Sequence, residues 1–594
     1  MAVNWTREQK QVIEGREKSL LVSAAAGSGK TAVLVERIIQ MITEGENPKD
    51  IDRLLVMTFT RAAAAEMRER IQAAIEKKLE LEPENEHLQQ QAVLVQFAQI
   101  TTIDSFCLHI MREHFDRLDI DPAFRVGDEG EMLLMRADVM DGLLEDYYRD
   151  GGKRYEEFVD AYATGKADGG IAEYVMQVYN FAQSNPWPDA WYEKCREELL
   201  LTEQGELEQT EWMQFLLRDI ALQAQEWKIQ LREAWEICQE TGGPMPYLPM
   251  IEEDLRHAEA VCGAAGSFET ISEALEQFTF SRLAAIRGKN GEVDPEKKAL
   301  VSDCRSRVKK AVEKLKGEYL FVSPEQMLTD MEAGKERILE LLELAQEFGR
   351  RFRAKKKEKN VVDFHDLEHF ALEILTEPES ECSEAEETSS AEETDQMQGK
   401  NVWTVRVPGT VADELAVQYD EILVDEYQDS NLVQETLIQC ISGERFDRPN
   451  VFMVGDVKQS IYKFRLARPE LFLEKYSTYT SEESAHQKIE LHQNFRSRDH
   501  ILESINAIFY RIMTEKLGNI SYTEDAALHP GAAFEERDGL DELKTELLLV
   551  DLSVQPQKET ESPELDDEAA DYTARELEAR MIAGKIREMT DKER

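Results

Sequence analysis

The strongest constraint in the sequence is an apolar run that leads through a glycine-rich turn into a helical pattern. Residues 19–23 read Ser-Leu-Leu-Val-Ser, which predicts a buried strand, and residues 32–41 carry the apolar periodicity of a helix. A second strand and helix follow at residues 54–57 and 61–78. Strands that alternate with helices at this spacing form parallel sheets, so an α/β fold is predicted.

The turn between the first strand and the first helix, residues 24–31, reads Ala-Ala-Ala-Gly-Ser-Gly-Lys-Thr. Glycines let backbone N–H groups turn inward and the following helix N-terminus attracts anions, so the turn is typical of a phosphate-binding loop. Its first position is usually glycine and is alanine here. In such loops the lysine reaches the β- and γ-phosphates and the threonine hydroxyl ligates Mg²⁺. We therefore predict contacts with ATP from Ala24, Ala25, Ala26, Gly27, Ser28, Gly29, Lys30 and Thr31.

An acidic pair follows another apolar run. Residues 421–424 read Glu-Ile-Leu-Val and predict a strand, and Asp425 and Glu426 come directly after it. In a chain with 120 Asp and Glu residues such a pair means little alone, but the preceding strand and the following Tyr-Gln-Asp-Ser make it specific. Beside a phosphate loop, Asp425 would hold Mg²⁺ and Glu426 would polarise the attacking water.

A third strand pattern, at residues 450–454, leads into a segment that mixes polar, aromatic and basic residues. Gln459 follows the strand end, where an amide can sense the γ-phosphate or its water. Tyr462, Phe464 and Arg465 combine aromatic rings with a cation, a mixture that suits stacking on unpaired bases. Packing of the two rings in the core is the alternative interpretation.

Charge and cysteine content narrow the classes of function. The chain has 70 Lys and Arg against 120 Asp and Glu, a net charge of −50 that repels nucleic acid at long range, so a nucleic-acid role must rest on motifs. The seven cysteines include no Cys-x-x-Cys pair, which predicts reduced thiols rather than zinc, iron–sulfur or disulfide sites. No apolar run approaches the ~18 residues of a membrane span and no signal peptide is recognisable, so we expect a cytoplasmic location and no membrane.

Long helical patterns at residues 124–360 interrupt the α/β rhythm and predict a helical insertion. Near its end, residues 350–357 form a basic run that is either a solvated helix face or a phosphate contact. Residues 377–395 contain nine acids and no Lys or Arg, which predicts an acidic loop at 377–400. Three later patterns predict a strand, a helix and a strand of a new unit, at residues 488–491, 499–516 and 546–550.

Taken in order, these blocks resemble the motifs of superfamily 1A DNA helicases of the UvrD, PcrA and RecB kind, and most of all the AddA family of helicase–nuclease subunits. The resemblance covers nearly the whole chain, as separate blocks. Besides the phosphate loop and the acidic pair, the matching blocks are residues 5–9 (Trp-Thr-Arg-Glu-Gln), 58–61 (Thr-Phe-Thr-Arg), 102–107 (Thr-Ile-Asp-Ser-Phe-Cys), 362–367 (Val-Asp-Phe-His-Asp-Leu) and 491–497 (Leu-His-Gln-Asn-Phe-Arg-Ser).

The resemblance implies a role for individual residues. Gln9 is implied to read adenine, Phe495 to stack on it, and Arg496 to contact the γ-phosphate across a cleft as an arginine finger. The catalytic residues so implied are Lys30, Asp425, Glu426, Gln459 and Arg496. The implied contacts with single-stranded DNA are Phe59, Thr60, Arg61, Asp104, Ser105, Tyr462, Phe464 and Arg465.

The fold implied by the resemblance is a RecA-like P-loop motor domain, residues 1–123 and 361–485, with the helical insertion at 124–360. The start of a second RecA-like domain is implied at 486–594. Asp104 stands where stand-alone repair helicases usually carry histidine, and the insertion is longer than theirs. Since no counterpart of the later motor motifs or of a nuclease block is found, we expect an N-terminal portion without the nuclease domain.

The implied function is ATP- and Mg²⁺-dependent movement along DNA and unwinding, in the 3′-to-5′ direction. The resemblance places it in a complex that processes double-strand breaks for recombination repair. Single- and double-stranded DNA are the implied substrates, and an AddB-like nuclease subunit is the implied partner. Two alternatives stay open, namely a stand-alone repair helicase of the UvrD or PcrA type and an ATP- and DNA-binding fragment deficient in turnover.

Overall fold

The structure is a computed structural model that describes residues 4–45, 48–163, 169–200, 204–264, 266–286, 293–320, 322–378, 406–514, 520–535, 545–550 and 574–591. Its strands in chain order are β1 (Ser19–Ala24), β2 (Leu54–Thr58), β3 (Ile100–Thr102), β4 (Arg125–Val126), β5 (Val361–Val362), β6 (Thr376–Pro378), β7 (Arg406–Pro408), β8 (Glu421–Asp425), β9 (Val451–Gly455), β10 (His486–Leu491), β11 (Gln493–Asn494) and β12 (His529–Pro530).

The α-helices of the described residues carry most of the chain. In order they are α1 (Arg7–Glu14), α2 (Lys30–Thr43), α3 (Arg61–Leu81), α4 (Glu86–Leu94), α5 (Ile103–Glu113), α6 (Glu129–Asp150), α7 (Gly152–Tyr162), α8 (Gly169–Gln183), α9 (Pro188–Glu198), α10 (Gln204–Gln209), α11 (Glu211–Gln239), α12 (Leu248–Gly263), α13 (Phe268–Gln277), α14 (Pro295–Tyr319), α15 (Pro324–Glu358), α16 (Phe364–Leu375), α17 (Thr410–Gln418), α18 (Leu432–Ile441), α19 (Pro469–Thr478), α20 (Asp499–Ile512) and α21 (Ala574–Asp591).

Six parallel strands form the central sheet, in the order β10-β1-β9-β8-β2-β3. Neighbouring strands come from distant parts of the chain, as in the pairing of Val22 with Val454. Parallel strands need crossover connections, and helices supply them here. The predicted α/β class is confirmed, with the parallel central sheet of a RecA-like fold.

Helices cover both faces of this sheet because successive side chains of a strand point to opposite sides. Leu20 and Val22 pack against the buried faces of α1, α2 and α3. Leu21 packs on the other side, against α5, α16 and α18. Strands buried on both faces read as continuous apolar runs, which is why β1, β2, β8 and β9 were recognisable in the sequence.

Strand β10 corrects one predicted boundary. The second RecA-like domain was expected to begin at residue 486, but His486–Leu491 pairs with β1 at the edge of the first sheet. Alternate residues of β10 are buried, as in any half-buried strand. That alternation identifies a strand without identifying its sheet, so the sequence could not place it. The small pair formed by β11 and β12 begins directly after it.

The helical insertion is anchored by a short parallel pair, in which Arg125 of β4 lies beside Val361 of β5. Between these strands, the described residues form α6 to α15 together with a 3₁₀ turn at Met245–Tyr247. One apolar cluster joins α6 to α9 with α15, and a second joins α10 to α14. The insertion therefore has apolar cores of its own, separate from the two that cover the sheet.

The basic run at residues 350–357 lies on α15 and is extensively ion-paired. Lys356 is buried, with its Nζ 3.1 Å from an Asp363 carboxylate oxygen and 2.6 Å from one of Asp366. Arg351 pairs with Asp146 at 2.7 Å. Neither a solvated face nor a phosphate contact describes Lys356, because its charge joins the insertion to the start of α16.

Two further predictions fall at the edges of the described residues. The acidic loop expected at 377–400 lies outside the described residues from 379 onward, and the chain on either side forms the antiparallel pair β6–β7. The strand expected at 546–550 is wrong, since these residues have no regular structure and Leu547 and Leu549 are exposed. A strand needs a neighbour to satisfy its backbone groups, and none pairs with this segment among the described residues.

The thiols and helices agree with a chain that folds without covalent crosslinks. No described helix combines the length and the apolar character needed to cross a membrane. Within the described ranges no group of three or more His, Cys, Asp or Glu side chains has the arrangement of a metal site. The described cysteines are all free, namely Cys107, Cys195, Cys238, Cys262, Cys304 and Cys440.

Glu368 is a buried carboxyl group at the contact of three helices. It lies on α16 and accepts a hydrogen bond from Gln434 of α18 at 2.7 Å. Burial, helped by the Asp104 carboxylate of α5, raises the pKa of Glu368 to about 7. A carboxyl with a raised pKa binds its proton more tightly in the folded state, so it lowers stability progressively as the pH rises from its ordinary pKa through 7.

Replacement of Glu368 by Gln removes this titration. The free energy of unfolding of Glu368→Gln should exceed that of the wild type by roughly 2–3 kcal/mol at pH 8, and the difference should vanish towards pH 5. Denaturant unfolding at four pH values between 5 and 8 measures the effect. Glu373→Gln, exposed on the same helix, is the matched control and should follow the wild type. Parallel pH profiles for Glu368→Gln and the wild type would contradict the prediction.

Candidate functional site

The carboxyl ends of parallel strands meet at one edge of a sheet, and the predicted site residues gather there. Strand β1 ends at Ala24, β8 at Asp425 and β9 at Gly455. Phe59 follows β2, and Asp104 begins the helix that follows β3. The fold thus brings together motifs that are hundreds of residues apart in the chain.

The turn between β1 and α2 has the backbone of a phosphate-binding loop. Gly27 and Gly29 have φ angles of +72° and +83°, a left-handed conformation that favours glycine. Gly29 precedes α2 without a side-chain cap, so the first amides of that helix are available to a ligand. The Ser28 hydroxyl is buried without a hydrogen-bond partner among the described residues. This geometry suits the oxygens of a phosphate chain.

A segment after β10 holds this loop in place. Asn494 Nδ2 donates to the carbonyl oxygen of Ala26 at 2.6 Å, and the Phe495 N–H donates to that of Gly27 at 2.9 Å. A Cβ atom added to Gly27 would lie 2.6 Å from Asn494 Nδ2 and 3.0 Å from Arg496 Cβ. Arg496 is therefore beside the phosphate loop, as its proposed finger role requires. Sequence reasoning missed Asn494, although its amide in the Gln-Asn-Phe-Arg block was a visible signal.

A cavity of about 250 Å³ adjoins the phosphate loop. Gln9 sits in its wall, fixed by a capping box with Thr6 at the start of α1. Gln9 Nε2 donates to the Ser28 carbonyl oxygen at 3.0 Å, and the Phe495 ring packs closely over Gly531. An amide edge and an aromatic face are the groups that recognise a planar base. The lining residues are Thr6, Glu8, Gln9, Ser28, Leu491, His492, Gln493, Phe495 and His529.

The acidic pair faces the phosphate loop from the end of β8. Lys30 Nζ lies 2.9 Å from Glu426 Oε2. Burial and the neighbouring Glu426 charge raise the pKa of Asp425 to about 6, with Lys30 opposing the rise. Glu426 itself has a left-handed backbone, φ +52°, a conformation that costs a non-glycine residue on the order of 1–3 kcal/mol. Such strain typically marks a side chain that must point in one direction.

A cleft of about 360 Å³ joins the predicted metal and water-activating residues. The Thr31 hydroxyl and the Asp425 carboxylate both line it, and oxygens of this kind are the ligands that Mg²⁺ prefers. Mg²⁺ commonly takes one or two protein ligands and completes its shell with phosphate oxygens and water. The residues present therefore fit a Mg²⁺ ion shared with bound phosphates.

A buried polar network connects this cleft to the end of β9. Gln459 Nε2 donates to Asp456 Oδ2 at 2.7 Å. The Asp456 N–H in turn donates to Gln428 Oε1 at 2.9 Å. Asp429, in the same cleft, has its pKa raised to about 6 by burial and by Glu426. Gln428, Asp429 and Asp456 were not singled out from the sequence, because their role depends on contacts between two strands.

Aromatic side chains project at the mouth of the same cleft. The rings of Phe59 and Tyr462 have centroids 4.7 Å apart, and those of Tyr462 and Phe464 are 6.0 Å apart. Arg465 Cζ lies 5.4 Å from the centre of the Tyr462 ring. Phe464 is 77% exposed, so packing in the core does not account for it. An exposed ring cluster with a cation is suited to unpaired bases.

The remaining predicted contacts lie along the neighbouring strand ends. Thr60 caps α3 by accepting the Ala63 N–H at 3.1 Å, and Arg61 is exposed in the first turn. Burial raises the pKa of Asp104, while the Arg61 charge opposes the rise. The Ser105 hydroxyl is 2.9 Å from that of Thr102, the residue that caps α5. The structure thus places Arg61 and Asp104 together and ties Ser105 to a helix cap.

These features define a class. A parallel sheet with a phosphate loop after one strand and an Asp-Glu pair after another is a P-loop nucleotide-binding domain of the RecA-like type. Residues 5–480 match the UvrD/REP helicase N-terminal domain. The chain belongs to the UvrD/REP helicase family, which confirms the family predicted from its motifs.

The chain is also similar to curated AddA proteins, which are named as subunits of an ATP-dependent helicase/nuclease. It is 43% identical to the one from Lachnoclostridium phytofermentans, a match that covers all of this chain and 42% of the relative. The matches to those from Clostridium beijerinckii and Bacillus licheniformis are 40% identical and cover 99% and 98% of this chain, with 45% of each relative. The chain spans less than half the length of these relatives.

The phosphate loop generates a prediction about nucleotide affinity. In Gly27→Ala the new methyl group meets Asn494 and the left-handed backbone costs about 1–2 kcal/mol. ADP should bind at least about tenfold more weakly, as measured by titration calorimetry. Gly45→Ala is the matched control, since Gly45 has φ +98° at the end of α2 and a Cβ there would meet nothing within 4 Å. Equal ADP affinities for the two variants would rule out the assigned role of the loop.

Proposed function

We propose that this chain is the ATP-hydrolysing motor portion of a DNA helicase that belongs to a helicase–nuclease complex. One observation carries the proposal. A single cleft is lined both by the predicted catalytic residues Asp425, Glu426 and Gln459 and by the aromatic residues Phe59 and Tyr462. ATP chemistry and base stacking therefore share one set of walls, which is what a motor needs in order to couple them.

The nucleotide is bound by residues from both sides of the phosphate loop. The amides of the loop and Lys30 bind the phosphates, and the base lies between Gln9 and the Phe495 ring. Thr31 and Asp425 hold Mg²⁺, which neutralises phosphate charge when bound. Lys30 now pairs with Glu426 at 2.9 Å and turns to the phosphates in the bound state. That exchange frees the Glu426 carboxylate to accept a proton from the attacking water.

Arg496 supplies positive charge from outside the first sheet. It follows β11 and lies against the phosphate loop through Asn494 and Phe495. An arginine finger stabilises the charge that develops on the transferred phosphoryl group. Gln459 faces the same cleft and reports the state of the γ-phosphate to the segment that carries the aromatic rings.

Single-stranded DNA follows the exposed ring cluster. Bases stack on Phe59, Tyr462 and Phe464, and Arg465 adds a cation near the backbone. Thr60, Arg61, Asp104 and Ser105 extend this track along the ends of β2 and β3. Local stacking and single cations overcome the overall charge of −50, because charges beyond a Debye length of about 8–10 Å are screened.

The names of the similar proteins extend the proposal. A protein named as one subunit of a helicase/nuclease works with at least one other, so we infer an AddB-like nuclease partner and double-strand-break processing in the cytoplasm. Movement is 3′-to-5′, and both single- and double-stranded DNA are substrates. We assign the first motor domain to residues 1–123 and 361–491, the insertion to 124–360, and the start of the second motor domain to the residues after 491.

The proposal is tested by ATP hydrolysis with and without oligo-dT. The wild type should hydrolyse ATP faster with single-stranded DNA, and Lys30→Ala should lose about 100-fold or more of the stimulated rate because its charge binds the phosphates. Lys49→Ala is the matched control, since Lys49 pairs with Asp420 at the opposite edge of the sheet. A wild type indifferent to DNA, or a Lys30→Ala variant as active as the control, would overturn the proposal.

The ring cluster yields a separate prediction for DNA affinity. Phe464→Ala should weaken oligo-dT binding by about 1–3 kcal/mol, the usual contribution of one stacked base. Fluorescence anisotropy at one fixed salt concentration measures it, since salt alone changes such affinities. Phe446→Ala is the control, because Phe446 is an exposed ring beside Arg445 at the other edge of the sheet. Similar affinities for both variants would exclude Phe464 from the track.

A further inference from the structure

Gln428 lies between the acidic pair and the strand that leads to Gln459. It belongs to the 3₁₀ turn Tyr427–Asp429 after β8 and is 1% exposed. Its side-chain amide donates to Glu426 Oε2 at 2.9 Å and to Asp429 Oδ2 at 3.2 Å. Its Oε1 accepts the N–H of Asp456 at 2.9 Å. One buried amide therefore connects the ends of two neighbouring strands.

The chemistry of this position requires an amide. The carboxylates of Glu426 and Asp429 need donors, while the N–H of Asp456 needs an acceptor, and a primary amide offers both. A glutamate in the same place would have no donor and would add a third carboxylate. Gly455 makes room for the amide, because a Cβ added there would overlap Gln428 Oε1.

The contacts continue from Gln428 towards the ring cluster. Asp456 accepts the Gln459 amide at 2.7 Å, and the Ser460 hydroxyl donates to the Gln428 carbonyl oxygen at 3.4 Å. Tyr462, two residues further on, packs against Phe59. The segment that carries Tyr462 is thus attached to Gln428 through both a side chain and the main chain.

On its other side, Gln428 shares Glu426 with the phosphate loop. Glu426 Oε2 accepts from Lys30 Nζ and from Gln428 Nε2, each at 2.9 Å. When Lys30 turns to the phosphates of a bound nucleotide, Gln428 still holds this oxygen. The orientation of the carboxylate then depends on the position of the amide, and through Asp456 on the segment after β9.

We propose that Gln428 is a positioning residue that transmits the binding of single-stranded DNA to Glu426. The inference rests on the proposed function. Bases stacked on Phe59 and Tyr462 fix the segment after β9, which fixes Asp456 and orients the Gln428 amide. The Glu426 carboxylate is then aligned with the attacking water. DNA binding therefore raises kcat for ATP hydrolysis and leaves KM for ATP almost unchanged.

The test compares wild type, Gln428→Leu and a matched control, with kcat and KM for ATP measured with and without oligo-dT. In Gln428→Leu the DNA stimulation of kcat should fall by at least about tenfold, as misplaced catalytic groups commonly cause. KM for ATP and Kd for oligo-dT should stay within about threefold of wild type. Gln439→Leu is the control, because Gln439 is exposed on α18 and its amide donates to Glu435 of the same helix.

Each outcome decides the matter. Wild-type stimulation in Gln428→Leu overturns the inference and leaves the proposed function standing, whereas a wild type without stimulation overturns both. A proportional loss of kcat, ATP affinity and DNA affinity assigns Gln428 a structural role and also overturns it. If Gln428→Leu does not fold, as judged by circular dichroism, Gly455→Ala replaces it, because its methyl group displaces the amide without removing it. The same selective loss of stimulation is then expected, and retained stimulation overturns the inference.

Discussion

The hydrogen bonds between β1 and β10 hold the two sides of the nucleotide site together. The ladder continues beyond the sheet, where the Ala25 N–H donates to Leu491 O at 3.0 Å and the Phe495 N–H donates to Gly27 O at 2.9 Å. Asn494 adds a bond to Ala26, which is 468 positions away in the chain. Since buried backbone groups must be paired, the phosphate loop keeps its shape only while the segment after β10 lies against it.

A concentration of negative charge faces this loop. Burial and the proximity of Glu426 raise the pKa values of both Asp425 and Asp429 to about 6. Carboxylates so close together are tolerated where donors and cations compensate them, and Lys30 and Gln428 do so here. The same arrangement prepares the cleft for a divalent cation and a phosphate chain, whose charges replace the internal pairs.

Much of this could be read from the sequence because the motifs are local. Strand, glycine turn and helix are consecutive, and the acidic pair directly follows its strand. The sheet to which β10 belongs could not be read, because alternation of buried residues is the same in any half-buried strand. Asn494, Gln428 and the buried Lys356 were hidden for a related reason, since their roles come from partners distant in the chain. The site residues themselves stay predictions until variants are measured.

The short pairing of β4 with β5 has an evolutionary consequence. Because Arg125 and Val361 are neighbours, the whole helical insertion leaves the motor core and returns to it at one point. Its apolar clusters are its own, so its length and surface can change without repacking the sheet. Loop-closure entropy grows only slowly with length, which makes large changes thermodynamically inexpensive. Such a position is a natural graft point, where a family can exchange accessory domains while one engine is inherited intact.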